Sequence, residues 1–359
     1  MISTVGIKSM SLEECRSFFE SIGEPGYRAD QVLEWLYRGR VSSYDAMTNI
    51  PRLLRVKLAE IAPLGPPEIL ARRVSPDGDS VKYLIGLADD NAVEAVLMRH
   101  DYGLSLCVSS QVGCPMGCAF CASGIGGLVR DLTCGEIVDQ LVAASSDAAE
   151  RFCGARISSL VVMGSGEPLL NYDNVIKFVR LANWSRGFAI GYRHITISTC
   201  GIVPGIVRLA GEGIPLTLSV SLHAPDDATR SSIMKVNTAY PISTLVKACN
   251  QYAQITGRRV TYEYALIAGV NDSQAHAERL AGLLRGALCH VNLIPLNPVP
   301  ETPYERPASC VVEAFAGALE SRGIEATIRR EMGSGIDAAC GQLRRRLAPR
   351  GGAEEAGPR

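Results

Sequence analysis

The sequence predicts an α/β protein whose main body, residues 103–347, is a partial barrel of six strand–helix units. Six short apolar runs recur along this region, and a stretch with helical spacing follows each one; the runs span 104–109, 159–163, 194–198, 216–222, 260–266 and 290–294. Strands that alternate with helices favour a parallel sheet, and here they predict a TIM-like (β/α)6 barrel. A seventh run at 326–328 would add an edge strand. The helix after the first run is predicted from Thr133 to Val142, with a capping box between Thr133 and Glu136.

Composition bounds the class of protein. The chain has 359 residues, an apolar content of 47% and a formal net charge of −1, so it can bury a large core and has no overall charge that favours nucleic acid. Residues 1–4 lack the features of a secretory signal, and no uncharged apolar run reaches membrane-spanning length. Twelve cysteines in such a chain indicate a reducing cytoplasm. The Gly-, Pro- and Glu-rich segment 348–359 is predicted to be disordered.

Residues 1–62 are predicted to form a small helical domain. Ser11 and Glu14 have the spacing of a capping box ahead of an apolar helical face, Gly23 ends that helix, and Pro51 opens the last of three helices. Basic residues alternate with acidic ones in this segment, which fits either a solvated helical surface or an RNA-docking module that contacts phosphates. These basic residues are Arg28, Arg38, Arg40, Arg52, Arg55 and Lys57.

Residues 63–102 are predicted to form a linker followed by a β extension. A turn signal at 76–79 separates strand-like runs at 69–74 and 81–87, which predicts a β-hairpin. A further strand-like run spans 91–98.

Glu94 lies inside this last run, between apolar neighbours. A carboxylate in such a position either faces solvent or serves as an acid–base group in an apolar environment. The pattern alone leaves both interpretations open.

Three cysteines, Cys114, Cys118 and Cys121, are spaced as C-x3-C-x2-C. They follow the first apolar run of the barrel, so they are expected at the carboxyl end of a strand, where α/β barrels carry their active sites. Half of a zinc site or simple packing would also place cysteines close together. The asymmetric spacing favours an iron–sulfur cluster, because zinc sites usually use paired C-x2-C units. A cubane cluster usually has four thiolate ligands, so three would leave one iron open to a small molecule.

This motif, with Phe120 before its last cysteine, resembles the signature of radical S-adenosylmethionine (SAM) enzymes. The resemblance implies a [4Fe–4S] cluster held by Cys114, Cys118 and Cys121, whose open iron binds the amino and carboxylate groups of SAM. An electron from the cluster would then cleave SAM to a 5′-deoxyadenosyl radical.

Polar residues follow several of the later strands. The run 159–163 leads into Gly-Ser-Gly-Glu-Pro, which is typical of a tight strand-to-helix turn and also resembles the segment that holds the methionine amino group of SAM. The other strand ends fit ordinary turns and caps or, together at one rim, a site for the rest of SAM. By the resemblance, the SAM contacts are Gly166, Glu167, Ser198, Ser221, Leu222, His223 and Asn297.

Two cysteines outside the triad narrow the resemblance. Cys107 lies in Cys-Val-Ser-Ser-Gln-Val-Gly-Cys, and Cys340 lies in Ile-Asp-Ala-Ala-Cys-Gly-Gln-Leu. Singly, Cys107 fits a buried strand position and Cys340 a loop thiol. In this order, the two stretches are similar to those of the bacterial dual-specificity 23S ribosomal RNA and transfer RNA adenine-C2 methyltransferases and their carbon-8 resistance relatives. Cys200 and Ile125 depart from the pattern, and Ile125 weakens the loop after the triad as an RNA contact.

The resemblance implies a reaction that uses two SAM molecules per turnover. One SAM methylates Cys340, and the radical from the second takes hydrogen from that methyl group, whose carbon then adds to the adenine. Glu94 would accept the ring proton, and Cys107 would attack Cys340 to free the methylated base, leaving a transient disulfide.

The implied partners are 23S ribosomal RNA, transfer RNA and a reductant such as flavodoxin, with no membrane and a monomeric protein. Carbon 2 is favoured because it is the housekeeping activity, and carbon 8 is the alternative. A non-catalytic RNA-binding or zinc protein with the same fold is a further hypothesis. Another kind of radical SAM enzyme is disfavoured, because Cys107 and Cys340 would then have no purpose.

Overall fold

The computed structural model describes residues 6–330, 332–338, 342 and 346–347. Its helices are α1 (Leu12–Ser21), α2 (Tyr27–Tyr37), α3 (Arg52–Ile61), α4 (Cys134–Arg151), α5 (Tyr172–Asn183), α6 (Val203–Ala210), α7 (Asp227–Ile233), α8 (Ile242–Thr256), α9 (Gln274–Leu283) and α10 (Ser309–Glu320). Its strands are β1 (Glu68–Val74), β2 (Ser80–Gly86), β3 (Asn91–His100), β4 (Gly103–Cys107), β5 (Gln111–Gly113), β6 (Leu128–Asp131), β7 (Ile157–Val162), β8 (Ile195–Thr199), β9 (Thr217–Ser221), β10 (Val260–Leu266), β11 (Cys289–Pro295), β12 (Ala326–Ile328) and β13 (Arg346–Leu347). None of the helices in this part of the chain combines the length and the apolar character of a membrane span. Cys340 and the predicted disordered tail at 348–359 lie outside the described residues.

The main sheet has a parallel half and an antiparallel half. Within the described residues it joins eleven strands in the order β1-β2-β3-β4-β7-β8-β9-β10-β11-β12, with β13 paired to β3. All neighbours from β4 to β12 run parallel. The parallel half therefore contains the six predicted barrel strands and the predicted edge strand.

The parallel strands curve around a central cavity. Side chains of β4, at one end of the parallel half, line the same cavity as Arg329, which follows β12 at the other end. On β9, Ser219 and Ser221 line the cavity, whereas Leu218 and Val220 are buried on the opposite face, as the two-residue repeat of a strand requires. Because β4 and β12 are not paired in the described sheet, the barrel is partial. The predicted fold class is confirmed.

The predicted β extension joins directly to the barrel. Strands β1, β2 and β3 are antiparallel neighbours, and β3 also pairs antiparallel with β4. Val96 on β3 lies opposite Cys107 on β4. Side chains that share the face of Val96 therefore lie beside the first barrel strand. The boundary predicted between residues 102 and 103 falls within this continuous sheet, and the domain boundaries stay predictions.

The helical domain begins with the predicted capping box. Ser11 Oγ accepts a hydrogen bond from the Glu14 N–H at 3.1 Å, and the Glu14 carboxylate accepts one from the Ser11 N–H at 2.7 Å. Two ion pairs join this domain to the barrel helices: Lys8 with Asp139 and Lys177 with Glu14, both at 2.7 Å.

A second capping box, between Thr133 and Glu136, begins α4 as predicted. The helix continues to Arg151, beyond the predicted end at Val142. The sequence analysis did not predict the antiparallel β5–β6 pair, which brackets the loop that carries the three spaced cysteines.

Candidate active site

The central cavity has a volume of about 670 Å³, within the range of ligand pockets, about 300–1,000 Å³. Most of the predicted site residues line it. They are Cys107, Cys114, Cys118, Cys121, Gly166, Glu167, Ser198, Ser221, His223 and Asn297. Glu94 and Leu222 do not line the cavity.

The cysteine loop is held by backbone hydrogen bonds to its own ends and to a neighbouring element. The Cys121 N–H donates to the Cys118 carbonyl at 3.1 Å, and the Cys114 N–H donates to the Gly127 carbonyl at 3.2 Å. The Ala119 N–H donates to the Ile233 carbonyl, at the end of α7, at 2.9 Å. The three thiols are therefore presented along one wall of the cavity.

The chemistry of this donor set fits an iron–sulfur cluster. Among the described residues, no group of three or more His, Cys, Asp or Glu side chains is arranged to hold a single metal ion. A cubane makes a different demand, because each thiolate binds a different iron. Burial raises the pKa of the Cys114 thiol to about 11, and burial raises the pKa of Cys118 further. Coordination would deprotonate such thiols outright.

The turn after β7 packs tightly against the chain that leads to the cysteine loop. A Cβ at Gly164 would lie 2.7 Å from the Val108 carbonyl oxygen, and one at Gly166 would lie 2.8 Å from the Gln111 nitrogen. Gly166 also has φ +112°, a conformation that other residues rarely adopt. The glycines are thus required for close packing of two backbone segments, a reason that the sequence analysis did not give.

Glu167 is a buried carboxylate with fixed geometry. Its Oε2 accepts a hydrogen bond from the Cys200 N–H at 2.7 Å, and its Oε1 accepts one from the Leu169 N–H at 3.0 Å. Burial raises the pKa of Glu167, and these backbone hydrogen bonds oppose that effect. A cationic group bound in the cavity would stabilise the charged form. Such a carboxylate fits the ammonium group of an amino acid.

The remaining predicted SAM contacts differ in placement. Ser198, Ser221 and Asn297 line the cavity. The Leu222 side chain is fully buried away from it, and the Leu222 carbonyl accepts a hydrogen bond from Arg230 Nε at 3.1 Å. Any contact of Leu222 with a ligand would therefore use its backbone.

His223 is held as a neutral imidazole. Its Nδ1 accepts a hydrogen bond from the Ala265 N–H at 2.9 Å. Burial, with a smaller effect of Arg230, lowers the pKa of His223 to about 3. The proton of the neutral ring is therefore on Nε2, which can donate. The edge-to-face contact with Phe120, at 5.0 Å between ring centroids, ties this ring to the cysteine loop.

Arg230 holds the carboxyl ends of two neighbouring strands by hydrogen bonds to their carbonyl groups. The sequence analysis did not predict this role. Arg230 is fully buried, and its Nη2 donates to the carbonyls of Cys200 at 2.7 Å and Ser221 at 3.1 Å. Its Nη1 donates to Asn237 Oδ1 at 3.0 Å. One guanidinium thus fixes the ends of β8 and β9. Arg230 is the fourth residue of the short helix α7, and an arginine in such a position gives no sequence signal for this role.

A polar network inside the barrel was also missed. Glu263 accepts hydrogen bonds from Ser219 Oγ and from Asn292 Nδ2, the latter at 2.7 Å, and Arg329 Nη1 lies 3.9 Å from its Oε2. All four residues line the cavity. Alternating polar residues on β9 and β10 were the available signal, but short strands with mixed polarity resemble exposed ones.

Glu94 is buried, with 2% of its side chain exposed, so the solvent-facing interpretation is wrong. Lys82 Nζ lies 3.3 Å from Glu94 Oε1 and donates a hydrogen bond to the Asp337 carbonyl at 3.0 Å. The acid–base interpretation of Glu94 stays a prediction. The sequence analysis did not single out Lys82.

Cys107 belongs to a small apolar cluster with Val96, Ile336 and Ala338. Ala338 also lines the cavity, and it precedes Cys340 by two residues in the sequence. On the other side of Cys340 in the chain, Gln342 Nε2 donates to the Pro298 carbonyl at 3.3 Å. Ala338 before Cys340 is thus at the cavity wall, and Gln342 after it is bonded to Pro298, the residue that follows the cavity-lining Asn297.

Comparison with known proteins identifies the family. Two family models match: the ribosomal RNA large subunit methyltransferase N-terminal domain over residues 5–64 and the radical SAM superfamily over residues 108–281. A protein of Symbiobacterium thermophilum is 54% identical over 95% of this chain and 91% of its own length. One of Desulforamulus reducens is 50% identical over 95% and 96%. Both are named probable dual-specificity RNA methyltransferase RlmN. The chain belongs to the RlmN family.

A solved structure agrees with the RlmN assignment. The radical SAM methyltransferase from Sphaerobacter thermophilus has a TM-score of 0.90 and 47% identity, and the match covers 94% of this chain and 98% of the other. RlmN membership and the radical SAM match imply a [4Fe–4S] cluster and SAM as the cofactors. The roles of individual site residues stay predictions.

The basic residues of the helical domain are partly engaged within it. Arg55 Nη1 donates to the Asp45 carbonyl at 2.6 Å, and Lys57 Nζ donates to the Ile22 carbonyl at 2.7 Å. These contacts agree with the solvated-surface interpretation for these two residues. The RNA-docking hypothesis stays a prediction.

Proposed function

We propose that this chain is a SAM-dependent RNA methyltransferase that methylates carbon 2 of an adenine in 23S ribosomal RNA and in transfer RNA. Relatives about 50% identical over nearly the whole chain have names that state dual-specificity RNA methylation. One observation carries the residue-level proposal. Cys107 and the three-cysteine loop line one cavity, and Ala338, near Cys340 in sequence, shares an apolar cluster with Cys107.

Cys114, Cys118 and Cys121 would hold the cluster, and the polar residues of the strand ends would hold SAM. The cluster and its bound SAM supply the radical that activates a methyl carbon. Glu167 would accept a hydrogen bond from the SAM ammonium group, as its buried carboxylate favours. The remaining contacts would come from Gly166, Ser198, Ser221, Leu222, His223 and Asn297, where the Nε2–H of His223 is the donor.

Cys340 would carry the methyl carbon on its sulfur, because SAM alone cannot deliver an electrophilic methyl group to an electron-poor ring carbon. Once the methyl carbon has bonded to the ring carbon as a radical adduct, the adduct would give up one electron, which balances the electron consumed in cleaving SAM, and Glu94 would take the proton from that ring carbon. Cys107 sulfur would then bond to Cys340 sulfur while the bond from Cys340 sulfur to the methyl carbon breaks. The electron pair stays with the carbon, which takes a proton, and an external thiol later reduces the disulfide.

We call the transfer from Cys340 to the ring carbon and the following attack by Cys107 the cysteine relay. The number of residues between Ala338 and Cys340 supports it. Two residues of extended chain span about 7 Å at most, so the proposal needs Cys340 to reach only a short distance from Ala338 to meet Cys107. Cys107 sits at the end of β4, against Val96 and Ala338. Cys107 also lines the cavity, which supports its role as the sulfur that attacks Cys340 there.

We also propose the arrangement around the reaction. Residues 1–62 form the RNA-docking domain, 63–102 the β extension and 103–347 the catalytic barrel. A flavodoxin-type reductant would supply electrons, and the protein would act as a monomer in the cytoplasm, where thiols stay reduced and ribosomal RNA is made.

Mass spectrometry tests the methyl carrier. Anaerobically purified holoenzyme is incubated with SAM and digested, and the peptide that contains Cys340 should carry one added methyl group. An unmodified peptide from protein with its cluster intact would contradict the proposal.

A trapping experiment tests Cys107. With SAM, reductant and a 23S ribosomal RNA fragment, Cys107→Ala should accumulate a covalent RNA–protein adduct, whereas Cys134→Ala, another buried cysteine, should not. Digestion of the wild-type product to nucleosides should give 2-methyladenosine. Recovery of 8-methyladenosine would move the activity to carbon 8 and leave the relay intact.

A further inference from the structure

Lys82 joins two parts of the site that are far apart in sequence. It lies on β2, where its backbone is opposite Val96 of β3, and Glu94 is therefore a diagonal neighbour on the same face. Long side chains reach such diagonal positions. The Lys82 ammonium group lies 3.3 Å from Glu94 Oε1 and 3.0 Å from the Asp337 carbonyl oxygen.

The pair is almost fully inside the protein. Lys82 is 5% exposed and Glu94 is 2% exposed. Removing two charges from water is costly, so a buried ion pair is weak evidence for stability and is commonly retained for another reason. The adjacent residue Tyr83 points to the opposite face, where its hydroxyl donates to Asp147 of α4 at 2.6 Å. Only the face that carries Lys82 turns toward the segment that leads to Cys340.

We propose that Lys82 is a positioning residue that holds the Glu94 carboxylate at a fixed place relative to the chain segment carrying Cys340. This inference rests on the proposed roles of Glu94 and Cys340. The ammonium group has three protons and can serve two partners at once. It forms an ion pair with the Glu94 carboxylate, and it donates a hydrogen bond to the carbonyl of Asp337, three residues before Cys340.

The geometry of the pair matters for the proton step. Lys82 Nζ lies 3.3 Å from Glu94 Oε1 and fixes the place of this acceptor oxygen. The step that needs both Glu94 and Cys340 in register is the release of the methylated base from the RNA–protein adduct. Loading of the methyl group onto Cys340 does not need Glu94.

The test separates these two steps in the full-length holoenzyme. Methyl loading is followed by mass spectrometry of the Cys340 peptide without RNA. Adduct resolution is followed in a single turnover with SAM, reductant and a labelled 23S ribosomal RNA fragment. Lys82→Met should slow adduct resolution at least about tenfold, since misplacing a reacting group by about 1 Å can cost about a hundredfold. Methyl loading should stay within about threefold of wild type.

A double-mutant cycle shows whether Lys82 acts through Glu94. Once Glu94→Gln has removed the base, adding Lys82→Met should change the resolution rate by no more than about twofold. The double variant removes both charges, which a buried site tolerates better than one unpaired charge. If Lys82→Met alone does not fold, the resolution rates of Glu94→Gln and the double variant still show whether Lys82 acts through Glu94. A further large loss in the double variant would overturn the inference.

Tyr83→Phe is the matched control. It removes a buried hydrogen bond from the neighbouring residue on the other face of β2, and both steps should keep their rates. If Glu94→Gln slows resolution but Lys82→Met does not, the positioning role is wrong and the role of Glu94 stands. If Glu94→Gln resolves the adduct at the wild-type rate, the role of Glu94 given under the proposed function is wrong. Equal losses in loading and resolution for Lys82→Met would indicate a merely structural residue.

Discussion

Two walls of the same cavity are built in different ways. The cofactor wall consists of the loop 114–121, the turn 164–167 and the ends of β8 and β9. The relay wall consists of Cys107 and the segment 332–338, which contribute to the cavity lining, together with the buried pair Lys82 and Glu94, which does not line the cavity itself. The cofactor wall is made of short contiguous motifs at the ends of parallel strands, whereas the relay wall joins residues that are distant in the chain, with Lys82 and Asp337 255 residues apart.

This difference shows which interactions each wall depends on. The cofactor wall takes its shape from local backbone contacts, such as those within the cysteine loop, and from the buried guanidinium of Arg230. The relay wall takes its shape from pairing between strands and from one buried ion pair. A substitution in one wall should therefore impair one class of step and spare the other.

The largest expected effect comes from Cys118→Ala, which removes a cluster ligand from the cofactor wall. Iron and sulfide content of the anaerobically purified protein should fall severely and RNA methylation should drop below detection, because two thiolates are too few to hold a cubane. The relay wall should keep its fold, so the far-ultraviolet circular dichroism spectrum should stay that of wild type. Cys310→Ala, at an exposed cysteine on α10, should keep its iron. Retention of iron by Cys118→Ala would remove this residue from the ligand set.

The next largest effect is expected for Arg230→Met. The free energy of unfolding should fall by at least about 3 kcal/mol, because truncation leaves several buried acceptors unpaired at about 1–3 kcal/mol each. Chemical denaturation measures this loss. Arg208→Met is the matched control, because Arg208 pairs with Asp173 at the surface, and an exposed pair contributes about 1 kcal/mol or less. Similar losses in the two variants would contradict the supporting role of Arg230.

A smaller effect is expected where the two walls meet. In Gly164→Ala the new Cβ would lie within 2.8 Å of the backbone at Val108 and Ser109, and overpacking of this kind costs about 1–3 kcal/mol. Gly282→Ala is the control, because this glycine lies in α9 with no heavy atom within 4 Å of its Cβ position. It should be neutral or stabilising by up to about 1 kcal/mol. Thermal denaturation compares the two, and a neutral Gly164→Ala would mean that the two segments separate readily.

The sequence predicted the parallel half of the sheet well, because each strand there is a short apolar run followed by a helix with its own periodicity. Capping boxes at Ser11 and Thr133 fixed two helix starts for the same local reason. The β5–β6 pair escaped prediction because its strands have three and four residues, too few for a two-residue repeat to be visible. The length of α4 was underestimated because Ala and Ser beyond Val142 carry little amphipathic signal.

The residues of the candidate site were likewise predictable where a local motif marks them and not where a contact joins distant parts of the chain. Local motifs located the cysteine loop and the turn with Glu167, and the described structure places both in one cavity. The sequence could not reveal that Lys82 meets Glu94 or that Arg230 holds two strand ends. The first contact arises from strand register, and the second from a side chain of α7 that reaches the ends of two strands. It also left the burial of Glu94 open, since an alternating strand does not state which face is covered.

The pairing of β13 with β3 holds the chain on the carboxyl side of Cys340 close to the sheet that carries Cys107. Arg346 lies opposite Ala92, and Lys82 grips Asp337, so residues 338–345 span two points attached to the same antiparallel strands. A group joined to its target by a short stretch of chain meets it at an effective concentration of about millimolar or more. The two sulfurs of the proposed relay would therefore react with each other at a rate that dissolved cellular thiols can match only at similar concentrations. A cut between Ala338 and Cys340 would leave Cys340 on a separate piece held only by noncovalent contacts such as the β13–β3 pairing, and dissociation of that piece would turn this first-order encounter into a bimolecular one.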